Sequence, residues 1–159
     1  MEQRIGFGYD VHRAVAGRPL VLGGVRFDSP WGLEGHSDAD VLLHAMGDAL
    51  LGAASLGDLG THFPPGDPAW KDASSLELLR RIRALLDARG ARIVNVDATL
   101  VAETPRLAPA RDTMRTLIGE ALGVEPERVS VKATTNERLG SLGRGEGLAA
   151  CAVAMVTVP

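Results

Sequence analysis

The stretch GFGYDVHR, residues 6–13, decides how the fold begins. Together with Ile5 before them, Phe7 and Tyr9 alternate with Gly6 and Gly8, and an alternation of period two marks a strand. Residues two apart in a strand project from one face, so Asp10 and His12 point the same way, with Val11 turned into the core. A carboxylate beside an imidazole at a strand end makes two metal-capable side chains. An exposed strand end with a surface histidine accounts for the same letters unless a third ligand is found.

The chain around this strand has 159 residues, 45% of them hydrophobic, which suits one domain over residues 1–159 with a proper core. Its net charge of −3 argues against a general nucleic-acid binder, yet local cations could still hold a small anion. MEQRIGFGYD has no signal-like apolar region, and no apolar run reaches the roughly 20 residues needed to span a bilayer. A soluble protein with neither membrane nor nucleic-acid partner is expected. The single cysteine, Cys151, lies in LAACAVAMVTV and reads as a small buried hydrophobe.

Alternation and β-branched content place strands near residues 3–10, 19–27, 93–102, 129–135 and 149–158. Three helical patterns lie between them. The first follows HSDAD, where Ser37 and Asp40 form a capping signature and Val41, Leu42, Ala45, Ala49 and Leu50 recur at helical spacing. The second follows DASSLE and stops at Gly90; the third starts after Pro109 and stops at Gly123. The fold class is therefore α/β (α+β), a sheet covered by helices. The segment GDLGTHFPPGDPAWKD, residues 57–72, is too rich in Gly, Pro and Asp for regular structure and reads as a binding loop or lid.

The first helix supplies the third ligand. Residues four apart share a helical face, so Asp40, His44 and Asp48 make one polar line in an otherwise apolar segment; a plain solvent-facing stripe explains the line too. With Asp10 and His12, His44 completes two imidazoles and a carboxylate, a set suited to a tetrahedral zinc that keeps its fourth position open. Asp48, one turn from His44, is placed to orient that imidazole. His36 and Ser37 stand at a helix start, where free N–H groups attract phosphate. VKATTNERLGSLGRGEG adds Lys132, Thr134, Thr135, Glu137, Arg144 and Glu146, with cations and hydroxyls for phosphate oxygens and a carboxylate for Mg²⁺; a strand followed by a Gly-rich turn is the simpler reading of that segment.

Taken in order, RIGFGYDVHR, LGGVRF, GLEGHSDADVLLHAMGDALLGAASLGDLGTHFPP, NVDATLVAETPRLAP and VKATTNERLGSLGRGEGLAA closely resemble the 2-C-methyl-D-erythritol 2,4-cyclodiphosphate synthase family, from Arg4 to Val156. The resemblance implies a bacterial cytoplasmic enzyme: a homotrimer of mixed β-sheets, each with helices on one face, and active sites between subunits. It implies zinc on Asp10, His12 and His44, and Mg²⁺ or Mn²⁺ on Glu137. The substrate implied is 4-diphosphocytidyl-2-C-methyl-D-erythritol 2-phosphate, which cyclises and releases CMP.

By the same resemblance, Asp58 and Gly60 hold the erythritol hydroxyls, and His36 and Ser37 meet phosphate. The neighbouring subunit contributes Ala102, Pro105, Arg106, Leu107, Ala133, Thr134 and Thr135 around the cytidine diphosphate. His36, Lys132 and Thr135 are the catalytic candidates. Arg144 and Glu146 line a cavity on the threefold axis that would take an isoprenoid diphosphate. Pro65 stands where many members carry an aspartate, which shifts the expected substrate contact to Asp67, and Arg106 stands where lysine is frequent, keeping charge but changing donor geometry. The residues also leave open a zinc phosphoesterase and a non-catalytic binder of isoprenoid diphosphates.

Overall fold

The computed structural model describes all residues, Met1 to Pro159, as one domain built on a five-stranded sheet. β1 runs over Glu2–Ala16, β2 over Leu20–Leu22, β3 over Val25–Phe27, β4 over Trp31–Leu33, β5 over Arg92–Val101, β6 over Val129–Thr134 and β7 over Gly147–Val158. The sheet order is β4-β1-β7-β5-β6, with β5 and β6 parallel and the other pairs antiparallel. β2 and β3 form a separate hairpin around Gly23 and Gly24, both at positive φ, so the single strand expected at 19–27 is two strands. A Gly-Gly pair is the turn such a hairpin needs. β1 is longer than the expected 3–10 because β7 pairs with it as far as Arg13, and β4 continues the pairing to Ala16.

One face of the sheet is covered. Gly6, Gly8, Val96, Ala98, Leu100, Val129, Val131, Ala152, Ala154 and Val156 all point inward, and α1 (Val41–Ala53), α3 (Ser75–Ala88) and α4 (Arg111–Leu122) enclose the core with them. The other face is bare in a single copy. Ile5, Phe7, Tyr9 and Val11 are 67%, 64%, 52% and 50% exposed, so Val11 is not turned into the core and the expected phase of β1 is reversed. Cys151 lies opposite Tyr9 and is half-buried rather than buried.

The glycines explain the reversal. A Cβ on Gly6 would lie 1.9 Å from the Ala49 carbonyl oxygen, and one on Gly8 1.9 Å from that of Ala45. The backbone of α1 rests directly on that of β1, and only glycine on one side and alanine on the other permit such an approach. The direction of travel follows as well: Gly6 meets Ala49 and Ala53, Gly8 meets Ala45 and Ala49, so β1 and α1 run in opposite senses. Two residues of strand, about 7 Å, match a little more than one helical turn. The next inward position, Asp10, therefore meets the turn that carries His44.

The N-cap of α1 is Asp40, not Ser37. Its carboxylate accepts from Leu43 N at 3.1 Å and from Gly23 N and Gly24 N at 3.0 and 2.8 Å, so one buried side chain caps the helix and pins the β2–β3 turn. Asp40 thus leaves the polar line expected along α1. Residues 57–72 are not wholly irregular: α2 spans Leu59–His62 and a 3₁₀ turn spans Pro68–Trp70, capped by Asp58 and Asp67. A short α5, Gly140–Gly143, precedes β7. No helix is long and apolar enough to cross a membrane.

Candidate metal centre and active-site cleft

Asp10, His12 and His44 meet at one point. His12 Nε2 lies 2.7 Å from Asp10 Oδ2, His44 Nδ1 lies 3.1 Å from the same oxygen, and the two nitrogens are 3.3 Å apart. Donors held tetrahedrally at about 2.0–2.1 Å from zinc stand about 3.3–3.4 Å from each other, so a shift of a few tenths of an ångström fits this triangle to the ion. The rear nitrogens are also committed. His12 Nδ1 donates to the Glu34 carbonyl at 2.7 Å, and His44 Nε2 meets Ser37 Oγ at 3.1 Å and Ser75 Oγ at 3.0 Å. His12 therefore keeps its proton behind it and can offer a lone pair in front, while the two hydroxyls behind His44 can each donate or accept.

Without a metal, the three groups hold one another. Burial pushes Asp10 up, but hydrogen bonds and charge from His12 and His44 outweigh it and bring its pKa down to about 2. Burial pushes His12 down, but its bond to Asp10 prevails and raises its pKa. A carboxylate that stays ionised between two imidazoles is a ready seat for a divalent cation.

This triangle forms the floor of a cleft of about 330 Å³. His36, Ser37, Asp48 and Gly60 line it, and Leu59, Phe63, Pro65, Trp70 and Leu78 add an apolar wall to which the sequence reading assigned no role. Residues 63–70 are stiffened by stacking, with Phe63 and Trp70 in edge contact at 5.0 Å and Arg81 over the Trp70 ring at 5.0 Å. Asp48 does not orient His44: its Oδ1 accepts from Leu59 N at 2.8 Å, which ties α2 to α1, and the work expected of it falls to Ser37 and Ser75. His36 Nε2 donates to the carbonyl of Asp67 at 2.8 Å, while the Asp67 carboxylate accepts from Ala69 N. Asp58 is an exposed cap, bonded to the N–H and hydroxyl of Thr61, and lies at the rim rather than in the lining. Arg18 donates to the carbonyls of Gly35 and Ser37 and braces the segment that carries His36.

The pattern of the YgbB family matches residues 3–157, nearly the whole chain. This chain belongs to the YgbB family. The 2-C-methyl-D-erythritol 2,4-cyclodiphosphate synthase of Symbiobacterium thermophilum is 66% identical over 96% of this chain and 97% of its own length. Among solved structures, the bifunctional IspDF of Campylobacter jejuni matches with a TM-score of 0.95 at 39% identity, over 99% of this chain and 43% of that longer one. The IspF of Plasmodium falciparum, solved as a CDP complex, matches with a TM-score of 0.86 at 31% identity, over 98% of this chain and 96% of that one.

The remaining residues expected of a YgbB site do not line this cleft in one copy. Ala102, Pro105, Arg106, Leu107, Lys132, Ala133, Thr134, Thr135, Glu137 and Arg144 all lie outside its lining. Ala102 N donates to Thr134 O at 3.0 Å, which joins the segment after β5 to the end of β6. Glu103, not named from sequence, accepts from Asn136 N at 2.8 Å and Arg138 N at 3.1 Å and so fixes the loop that presents Glu137. Lys132 stands on the bare face and donates to Asp97 Oδ2 at 2.6 Å. The Leu107 side chain is buried in the core, which leaves only its backbone for a ligand. Arg144 is exposed and paired with Glu146 at 2.7 Å. The YgbB site expected from the sequence thus falls into two groups, one around the metal triangle and one at and just beyond the ends of β5 and β6, with Arg144 apart from both at the end of α5.

Proposed function

We propose that this chain converts 4-diphosphocytidyl-2-C-methyl-D-erythritol 2-phosphate into 2-C-methyl-D-erythritol 2,4-cyclodiphosphate with release of CMP, in isoprenoid precursor biosynthesis in the bacterial cytoplasm. The observation that carries this reading is the Asp10–His12–His44 triangle opening into a cleft in a chain 66% identical to a named synthase of this reaction product. The reaction is an intramolecular phosphoryl transfer. An oxygen of the 2-phosphate attacks the β-phosphorus of the CDP group, the bond from that phosphorus to the CMP oxygen breaks, and CMP leaves carrying the charge.

Zinc in the triangle would supply positive charge for the attacking phosphate and orient it, and Mg²⁺ or Mn²⁺ on Glu137 would do the same for the diphosphate. The residues supply the positioning. Ser37 and His36 stand beside the triangle to hold phosphate oxygens, Gly60 N–H and Asp58 hold the erythritol hydroxyls, and Asp67 closes the cleft through His36. Folding a flexible, highly charged substrate into a ring-forming pose replaces a search among its rotamers.

The second group of residues reaches this cleft from a neighbouring copy in a homotrimer. The bare apolar strip of Ile5, Phe7, Tyr9, Val11 and Val153 supports such an assembly, because a patch of this kind on a sheet face marks an interface. Within it, Lys132 and Thr135 approach the reacting phosphates, while Ala102, Pro105, Arg106, Leu107, Ala133 and Thr134 surround the cytidine diphosphate. Arg144 is the cation available to an isoprenoid diphosphate on the threefold axis. The test is product identity after incubation with the cytidylated substrate, zinc and Mg²⁺. The account expects cyclic diphosphate and CMP in equal amounts. Inorganic phosphate would mark a phosphoesterase, and no turnover with tight isoprenoid diphosphate binding would mark a non-catalytic binder.

A further inference from the structure

We propose that Asp38 and Ser75 are positioning residues of the metal centre, forming a relay that holds His44 with its Nε2 proton to the rear and its Nδ1 lone pair toward Asp10 and His12. The inference rests on the metal reading of that triangle. It begins with the single hydroxyl proton of Ser75, which is buried at 1% exposure. That hydroxyl donates to Asp38 Oδ1, and Asp38 Oδ2 accepts the Ser75 backbone N–H at 2.9 Å. With its proton committed, the Ser75 oxygen can only accept from its other neighbour, His44 Nε2 at 3.0 Å. Nε2 must therefore carry hydrogen. The opposite tautomer would set a nitrogen lone pair against an oxygen lone pair in a buried place, where an unmade hydrogen bond costs most.

Asp38 is itself held as an acceptor by converging donors. Besides the two groups of Ser75, Asp40 N donates to Oδ1 at 3.1 Å. Ser37 Oγ, 3.1 Å from His44 Nε2, accepts from Ala39 N and gives the same Nε2 proton a second acceptor. The relay also reaches along the chain. Ser75 is the first residue of α3, directly after the loop that walls the cleft, and that loop is docked to the ligand segment through Asp38 N to Ala73 O at 3.0 Å and Asp72 N to His36 O at 2.8 Å. Metal seating and the position of this wall are thus coupled through the short segment that carries His36 and Asp38.

The experiment uses full-length protein and zinc alone. Zinc dissociation constants are measured by competition with a chromophoric chelator for wild type, Ser75→Ala, Asp38→Asn and Ser75→Thr, beside the denaturant midpoint of each metal-free protein. The expected result is zinc binding weakened about 10–100-fold in Ser75→Ala and Asp38→Asn, the usual cost of losing a partner behind a metal-bound histidine. Ser75→Thr keeps the hydroxyl and restores affinity, and Ser75→Ala, its metal-free midpoint lowered by the lost buried hydrogen bonds, stays folded under the binding conditions. In zinc-loaded protein the His44 Nε2–H resonance is protected from solvent exchange, and Ser75→Ala loses that protection. Equal zinc affinity in wild type and Ser75→Ala, equal loss in Ser75→Thr, or an Nε2–H signal indifferent to Ser75 would each overturn the relay while leaving the triangle intact. Wild-type protein that takes up no zinc would overturn the triangle and the relay together.

Discussion

Gly8 and Ala45 are in backbone contact: a methyl group on Gly8 would stand 1.9 Å from the Ala45 carbonyl oxygen. The active-site geometry depends on this closeness. Asp10 and His12 lie two and four residues beyond Gly8 on the same strand face, and His44 precedes Ala45 on the helix. Widening the strand–helix gap would pull the carboxylate from the imidazole. Gly8→Ala is therefore expected to cost about 3 kcal/mol or more, at the upper end of overpacking penalties, because the obstruction is main chain and cannot rotate aside. Chemical denaturation together with the zinc content of the folded fraction checks this; a wild-type midpoint would contradict it.

Asp40 gives the metal-free protein a pH dependence with a definite sign. Complete burial is the main influence on its carboxyl, reinforced by the charge of Asp38, and against three backbone donors it lifts the pKa from 3.8 to about 6. Between those values the folded state binds the proton more tightly than the unfolded chain, so this stability is lost as pH rises through that window. From pH 5 to pH 7 the loss from Asp40 is about 1–1.5 kcal/mol. Asp40→Asn is expected to be less stable overall, since an amide cannot accept from all of Gly23, Gly24 and Leu43, and to lack this decline. Unfolding free energies at the two pH values, with and without the substitution, test it.

Much of the fold was legible because its periodicities are strong. Gly90 and Gly123 end their helices at φ 74° and 66°, as expected of glycine past a helix end. The metal triangle was legible because strand and helix spacing each put one ligand pair or ligand on an identifiable face. The phase of β1 was not. Alternation between Gly and large apolar residues predicts two faces but not which one the helix covers, and hydrophobicity points to the wrong one here, where the bulky side is left exposed and the glycine side takes the helix. Asp40 reads as part of a polar stripe until the Gly23–Gly24 turn is folded against it. Asp38 and Ser75 are 37 positions apart in sequence, and no local pattern joins them.

Glu137 sits at φ 52° on a loop held by Glu103, which presents its carboxylate without a partner from its own segment. Glu137→Gln removes the charge and keeps the shape. The expected outcome is a Mg²⁺ requirement raised at least tenfold in the concentration giving half-maximal rate, with zinc content unchanged. An unaltered Mg²⁺ titration would remove Glu137 from the diphosphate site.

A site divided between copies predicts complementation. His44→Ala damages the metal half and Lys132→Ala the other half, so neither homotrimer should turn over. In trimers refolded from an equal mixture, every mixed trimer contains one junction with both halves intact, and roughly a quarter of all sites recover. Activity near that fraction supports the division, whereas none at all, in trimers shown to be mixed, places both residues in a site within one copy.

X-ray absorption at the zinc edge, on protein loaded with one equivalent, examines the centre itself. Two imidazole nitrogens, one carboxylate oxygen and one further light atom, all at about 2.0–2.1 Å, are expected, with His44→Ala folded but unable to keep the metal. A sulfur neighbour from Cys151, or a closed shell of four protein ligands with no position for phosphate, would contradict the account.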